Sequence, residues 1–372
     1  MNSAPHVLAE TSPTFWGRPN GGYRRTLQLH ALLTKADIKV EVIERPGELT
    51  NLHYYCRGIK FLCQGGFRGK CNPRLVREHG MVVARLESRL RNHRGDRILL
   101  WEVTGRNNQA VPILARKFVY SVVALPHNLE TLVPTVMPRR GELISRHLEE
   151  EIRALSAADA IFTISREEQW LLLLHEMTPF YLPYFPVEKI VSDLLGMRSR
   201  RQAARAERLL ILGTAWNPPT QAGMIELIEM LRDLPGGSKM PVDIAGFGTE
   251  QLRGRLDGTA WRLHGGADDA QLEELLKNAR AVLVHQRAGS GALTRILEML
   301  IAGLPVIANS IAARSHGRMD GLHVYETPAE LFALLQQPLA EPEVPRRPVG
   351  AEQRLVEWVR QRVAAQHNRL AL

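Results

Sequence analysis

The stretch Gly289-Ser290-Gly291-Ala292-Leu293-Thr294-Arg295-Ile296-Leu297-Glu298-Met299-Leu300-Ile301-Ala302-Gly303-Leu304-Pro305-Val306-Ile307-Ala308-Asn309 decides how the chain is read. A glycine-rich turn runs into a helical pattern, which stops at Gly303-Leu304-Pro305 before a short apolar run. Leu293, Ile296, Leu297, Leu300 and Ile301 recur at i, i+3, i+4, i+7 and i+8 and define one buried stripe. Gly291, Arg295, Glu298 and Ala302 fall on the opposite side. One reading of that side is a solvated face with an i,i+3 ion pair, worth about 0.2–0.5 kcal/mol. The other is a ligand site. Gly-Ser-Gly before a helix N-terminus leaves backbone N–H groups free to meet an anion, with the helix dipole behind them. A carboxylate one to two turns further along can accept hydrogen bonds from a diol. Phosphate at the loop and ribose hydroxyls at Glu298 together describe a nucleoside diphosphate.

Working outward, strand and helix patterns alternate. His6–Glu10 reads as a first strand, followed by a loop ending in Asn20-Gly21-Gly22 and a helix from Tyr23 to Leu33. Ile38–Ile43, Ile98–Val103, Val119–Leu125 and Ala160–Ile164 are further strands, with helices at Arg146–Leu155 and, capped by Ser165, at Arg166–Leu174. The pattern breaks from Tyr181 to Arg208, a stretch with two prolines and then many Arg and Ala, which reads as a connection. It resumes with strands at Leu209–Gly213, Val242–Gly246, Trp261–His264, Ala281–His285 and Pro305–Ala308. Helices at Ala222–Arg232, Asp269–Ala279 and Ala292–Ile301 lie between them, and Glu352–Ala365 closes the chain. The expected fold is α/β: two Rossmann-like domains, 1–185 and 209–345, facing each other across a cleft. Residues 186–208 join them, and a helical segment, 346–372, is free to return to the first domain.

Composition narrows the class. At 372 residues the chain can bury two sizeable cores, and 45% hydrophobic with 23% charged residues is ordinary for a water-soluble protein. No apolar run approaches a membrane span and the start lacks the features of a signal peptide, so a cytoplasmic protein is expected. Cys56, Cys63 and Cys71 lack the spacing of a metal site and read as reduced thiols. The net charge of +9 is concentrated: Arg57–Arg97 holds eleven Lys or Arg and three acidic residues, a net of +8. Within it Leu75, Val76, Val82, Val83, Leu86 and Leu90 share a helical face, with Arg74, Arg77, Arg85 and Arg91 mostly off it. A solvated basic helix and a surface for anionic lipid headgroups both fit this pattern. No nucleic-acid recognition motif accompanies the charge, so no nucleic-acid partner is expected.

With these residues in view, the sequence resembles nucleotide-sugar glycosyltransferases of the two-Rossmann (GT-B) fold, most of all glycosyltransferase family four. The resemblance runs thinly over nearly the whole chain and is specific in four places. Val282–Asn309 is similar to the family's Gly-Ser-Gly-Thr run, basic residue, Ile-Leu-Glu-Ala and Ala-Gly-Leu-Pro-Val-Val. Ser156–Ser165 is similar to its Ala-Asp-Ala-Val-Phe-Thr-Val-Ser strand. Pro126-His127-Asn128-Leu129-Glu130 and the first-strand loop with Gly21-Gly22 are the other two.

The resemblance implies roles residue by residue. Glu298 matches the glutamate that holds the nucleotide ribose, and Ser290 stands where the family's first glutamate would be, so that carboxylate is missing. Arg295 stands at a usual Lys or Arg position and is placed to neutralise phosphate, in the same loop region as Arg287, Gly289 and Gly291. Gly21, Gly22, Gly246 and Gly248 match glycine turns near the diphosphate and nucleotide. His127 matches a histidine near the donor sugar and is the catalytic candidate. A Gly-Arg-x-x-x-Lys-Gly run is usual after the second domain's first strand, but here Gly213–Thr220 carries no cation. The implied activity is metal-independent, retaining transfer from a nucleotide diphosphate sugar to a glycan or lipid-linked acceptor. It needs no cofactor and would work at or near an anionic membrane surface, in surface polysaccharide or glycoconjugate synthesis. A nucleotide-sugar 2-epimerase and a non-catalytic nucleotide-binding relative remain as alternatives.

Overall fold

The computed structural model describes residues 4–11, 21–43, 50–64, 72–102, 104, 108–133, 141–201 and 207–370. They divide into two compact units, one taking in the chain up to 132 with 139–184 and 348–372, the other built mainly on 185–347. Asn20, Cys71 and Val103, each part of an expectation above, lie outside the described residues, as do 65–70 of the basic segment.

The first unit runs β1 (His6–Glu10), α1 (Gly21–Lys35), β2 (Lys39–Val42), α2 (Asn51–Cys63), α3 (Pro73–Asn92), β3 (Ile98–Trp101), α4 (Ala110–Lys117), β4 (Ser121–Ala124), α5 (Gly141–Leu155), β5 (Ala160–Thr163), α6 (Arg166–Leu174) and β6 (Phe180–Tyr181). Its strands form one parallel sheet in the order β2-β1-β3-β4-β5-β6. Strands such as Ile98-Leu99-Leu100-Trp101 are buried along their whole length, as expected for parallel strands covered on both faces. Two apolar cores flank the sheet, one built around Leu86, Leu99 and Val122, the other around Val7, Leu29 and Val123.

The second unit runs α7 (Glu188–Arg200), β7 (Arg208–Leu212), α8 (Pro218–Asp233), β8 (Val242–Ala245), β9 (Arg262–Gly265), α9 (Asp269–Asn278), β10 (Ala279–Val284), α10 (Thr294–Ile301), β11 (Val306–Asn309), α11 (Ser310–Ala313), β12 (Leu322–Tyr325) and α12 (Pro328–Gln336). Its parallel sheet has the order β12-β11-β10-β7-β8-β9, the 3-2-1-4-5-6 order of a Rossmann domain read from the other edge. The last helix, α13 (Val349–Leu370), belongs to the first unit, where Leu355, Val359 and Val363 join the core with Val7 and Leu29. Each unit is thus a Rossmann-like α/β domain. Each also has a point where strand order reverses, between β1 and β3 in one and between β7 and β10 in the other. Ligands of such sheets bind beyond the carboxyl ends of the strands at that point.

Two sequence readings are corrected here. The stretch read as a connection contains α7, a helix of 13 residues. Met197 is its one buried residue, with Ile190, Val191 and Leu194 partly buried at helical spacing from it; Pro183 and Pro186 before the helix and the Arg- and Ala-rich run after it hid that stripe in the sequence. The basic segment does form a helix, α3, with Leu75, Val82, Val83, Leu86 and Leu90 buried. It crosses α2 so closely that a Cβ on Gly80 would clash with the Tyr54 carbonyl oxygen. Arg85, however, is not on an outward face: its side chain is 15% exposed and ion-paired with buried Glu10. Other cations of the segment have partners close by, Arg74 with Glu78 and both Arg57 and Arg91 with Glu87. Cys56 and Cys63 are free thiols. Among the described residues no helix is long and apolar enough to cross a membrane.

Candidate functional site

In the second unit the opening stretch lies at the reversal point. β10 ends at Val284, the loop 285–293 follows, and α10 begins at Thr294, with no side-chain cap on its first turn. Gly291 therefore lies outside the helix rather than on its wheel; its φ of 74° is a left-handed value that favours glycine. Gly289 also has a positive φ, Ser290 is partly buried, and Arg287 is exposed on the loop. The loop is held from behind. Asn309, closing β11, accepts from the Gln286 N–H at 3.0 Å and donates to the Gln286 carbonyl at 2.8 Å. Arg314 and Ser315 each donate to the Gly291 carbonyl at 2.9 Å. These donors fix the loop's carbonyls on its inner side.

Helix α10 is buried nearly all round, and Glu298 with it, so the solvated-face reading of that side fails. Nor is there an Arg295–Glu298 ion pair. Arg295 forms no ion pair among the described residues, and its Nε is buried without a hydrogen-bond partner there. Burial, with no carboxylate to oppose it, pulls the guanidinium down to about 10. It remains charged at neutral pH. Its place answers the departure noted after Gly213: a Cβ on Gly213 would stand 2.9 Å from Arg295 Nη1. A cation from α10 thus stands beside the end of β7, whose own loop carries none.

Beside it the β8 turn comes in close. Gly246 has a φ of 125°, and a Cβ there would clash with the Gly213 carbonyl oxygen, so the two strand ends can meet only at glycine. A Cβ on Gly248 would lie 2.5 Å from the Trp216 ring. Trp216 stacks on Phe247 with centroids 5.6 Å apart and planes 22° from parallel, and it is 48% exposed. An unpaired cation, loop glycines and an aromatic step thus converge on the carboxyl ends of β7, β8 and β10.

The first unit carries a different cluster at its reversal point. Glu10 closes β1 and Glu102 follows β3, and both are fully buried. Glu102 accepts from Thr26 Oγ1 at 2.5 Å, His30 Nε2 at 2.8 Å, and His127 Nε2 and Thr11 Oγ1 at 3.3 Å each. Burial works against its charge, but the bonds from His127 and His30 outweigh it and hold this carboxyl well below the usual range. Glu10 behaves in the opposite way: burial pushes it up to about 7 despite the Arg85 guanidinium, and the charge on Glu102 adds to the rise. His127, in the turn after β4, is thereby oriented through Nε2. Gly21 and Gly22 are the first two residues of α1 rather than a loop before it, and that helix also carries Thr26 and His30.

Sequence reasoning singled out His127, which the structure sets in this cluster, but did not single out Glu10, Glu102 or His30 and read Arg85 only as part of a basic helix. A signal was available, since a carboxylate closing an apolar parallel strand lies where such sheets bind ligands. Asn309, Arg314 and Ser315 carried no comparable signal, because their role depends on which loop packs in front of them.

The sequence matches no family model and no curated protein. Among solved structures, the chain is similar to Anabaena HepE in complex with UDP-glucose, at 16% identity over 98% of this chain and 99% of that one, with a TM-score of 0.56. It is similar to sucrose-phosphate synthase from Thermosynechococcus elongatus at 13% identity over 99% and 98%, with a TM-score of 0.62. The third is an alpha,alpha-trehalose 6-phosphate synthase from Burkholderia multivorans, at 9% identity over 98% and 93%, with a TM-score of 0.61. At these identities the likeness shows the fold, and the fold is the α/β one of two Rossmann-like domains expected from the sequence.

Proposed function

We propose that this chain is a glycosyltransferase that moves a sugar from a nucleotide diphosphate sugar to an acceptor hydroxyl with retention. The observation that carries the reading is Arg295, a half-buried cation whose buried Nε meets no partner among the described residues, beside Gly213 at the Rossmann reversal point. A partly desolvated charge left unpaired is costly, and a diphosphate is the anion whose size and charge suit that place. Glu298, one turn into the same helix, then accepts from the ribose hydroxyls, and the half-exposed Trp216–Phe247 pair offers a flat face to the base. Binding of UDP and UDP-glucose by HepE, as that protein's structures state, supports a uridine nucleotide as the first donor to test.

In the reaction the bond from the sugar's anomeric carbon to the diphosphate oxygen breaks, and the acceptor oxygen bonds to that carbon on the same face. The acceptor's proton passes to the departing phosphate. Arg295 and the N–H groups opening α10 stabilise the charge that grows on the diphosphate, so the transfer step requires no metal. His127, held by Glu102, acts on the donor sugar. The acceptor is a glycan or lipid-linked sugar, and the exposed cations of α3, Arg74 foremost, meet anionic headgroups.

The test is a panel of nucleotide sugars screened by thermal shift, followed by nucleotide release with candidate acceptors. A uridine diphosphate sugar should raise the melting temperature, and acceptor should increase UDP release. His127→Ala should lower turnover far more than nucleotide affinity. A chain that no nucleotide stabilises would refute the donor site, and salt-insensitive indifference to anionic vesicles would remove the membrane part.

A further inference from the structure

At the end of the first unit's sheet opposite its own reversal point, three side chains from three elements converge. His6 opens β1, Glu41 lies in the edge strand β2, and His93 caps the C-terminus of α3. His6 Nε2 and His93 Nδ1 lie 3.1 and 3.5 Å from the same oxygen, Glu41 Oε2. The three donor atoms all fall within 4.8 Å of one another. Ligand atoms bound tetrahedrally at about 2.0–2.1 Å stand about 3.3 Å apart, so both imidazole–carboxylate separations are already those of a coordination sphere.

The hydrogen bonding at the rings makes the same case. His93 Nε2 lies 3.2 Å from the His6 carbonyl oxygen, which can only accept. In the neutral ring the proton is therefore on Nε2, and Nδ1 turns a lone pair toward the Glu41 carboxylate. Two acceptors face each other across 3.5 Å. His6 Nε2 is also buried and reaches the same oxygen without an aligned hydrogen bond. A cation between the three atoms resolves this arrangement. An imidazole whose other nitrogen donates to a backbone carbonyl is the usual arrangement of a metal-binding histidine.

The frame holds these groups in place on its own. The His6 N–H donates to Asp96 Oδ2 at 2.7 Å, and Asp96 Oδ1 takes a bond from His367 of α13 at 2.8 Å. A Cβ on Gly95 would stand 2.6 Å from His93 Nε2, so the ring's position depends on that glycine. Arg89 Nη1 stands 3.9 Å from the other carboxylate oxygen, Oε1, while both imidazoles face Oε2. His6 and Glu41 side chains are 27% and 36% exposed, so an ion and a completing water can enter. Glu10 lies at the other end of β1, roughly 13 Å away at the rise of a strand, so this cluster is separate from the Glu102 network.

We propose that His6, Glu41 and His93 bind one divalent transition-metal ion of the zinc class, with water as fourth ligand. Two imidazoles and one carboxylate suit such an ion rather than magnesium or calcium. Bound there, it ties β1, β2 and the end of α3 together.

The test uses the full chain freed of metal by chelator dialysis, titrated with Zn2+ by calorimetry and followed by thermal denaturation, with Co2+ as a spectroscopic probe. The expected result is one ion per chain, a raised melting temperature, visible absorption of tetrahedral Co2+, and no response to Mg2+. Glu41→Gln and His6→Gln alter partly exposed side chains and should keep the far-ultraviolet dichroism. Each should weaken Zn2+ binding by more than the roughly 10–100-fold that loss of a supporting hydrogen-bond partner typically costs. Absence of stoichiometric Zn2+ binding would overturn the proposal. So would binding that both substitutions leave unchanged, since the ion would then sit on others of the 13 histidines.

Discussion

The two reversal points share a topology and differ in electrostatics. Between β1 and β3 the charged groups meet protein partners: Glu102 takes bonds from two imidazoles and two hydroxyls, and Glu10 faces Arg85. Between β7 and β10 the charged group at the centre, Arg295, meets none among the described residues. A Rossmann sheet opens the same crevice in both cases, because strand order reverses and the flanking connections leave on opposite sides. What fills the crevice is decided by side chains. The first is a braced polar network that stiffens its own residues; the second holds a cation that meets no charged partner among the described residues, the feature on which the proposed donor site rests.

That contrast can be broken most forcefully at Glu102. Glu102→Ala leaves two imidazoles and two hydroxyls without their acceptor and should cost about 3–5 kcal/mol in urea denaturation. UDP affinity should change by less than about threefold, roughly 0.6 kcal/mol; a larger change would mean the two clusters are coupled. Next is the pH dependence set by Glu10. Its carboxyl lies near 7 in the folded chain against 4.5 unfolded, so between those values the folded state holds the extra proton. Stability should therefore fall as pH rises from about 4.5 to 7, by on the order of 3 kcal/mol from this group, and level off above. Glu10→Gln should flatten that slope, as measured by denaturation at pH 5 and pH 8.

At the second reversal point the expected effects are on binding. Arg295→Met should lower UDP affinity by up to about 3 kcal/mol, roughly a hundredfold, while the melting temperature holds or rises because an unpaired, partly desolvated charge is gone. A variant that instead loses stability and keeps its affinity would place Arg295 in the protein's own structure. Smallest is Glu298→Gln, which should cost about 2 kcal/mol toward UDP through loss of a charged acceptor for the ribose. Calorimetry with UDP and with 2′-deoxy-UDP sharpens this one: the variant should discriminate less between the two.

Much of the architecture was readable from the chain because it rests on local periodicity. Apolar runs such as Ile98–Trp101 and Val306–Asn309, each bounded by turn residues, mark buried parallel strands wherever they occur. The glycine loop, Arg295 and Glu298 could be picked out for a similar reason: their spacing along one loop and helix is itself the signal. Helix α7 was passed over although Ile190, Val191, Leu194 and Met197 recur at helical spacing, because Pro183, Pro186 and the Arg-rich run around it read as a break. The face carrying Arg295 and Glu298 was open to two readings because a helical wheel shows which residues share a side, but not what lies against it.

By itself, then, the sequence determined the alternation of strands and helices, the two-domain division and the run that closes β10 and opens α10. These follow from backbone geometry and from which side chains avoid water. Only the tertiary structure decided that Arg295 stands at the end of β7, that Arg85 turns inward to Glu10, and that β1 and β3 are neighbours and so bring Glu10 and Glu102 together. Each of those depends on strand order and long-range packing, which join residues with no fixed spacing along the chain. Charge pairing is decided at that level, because a guanidinium finds its carboxylate, or fails to, in space.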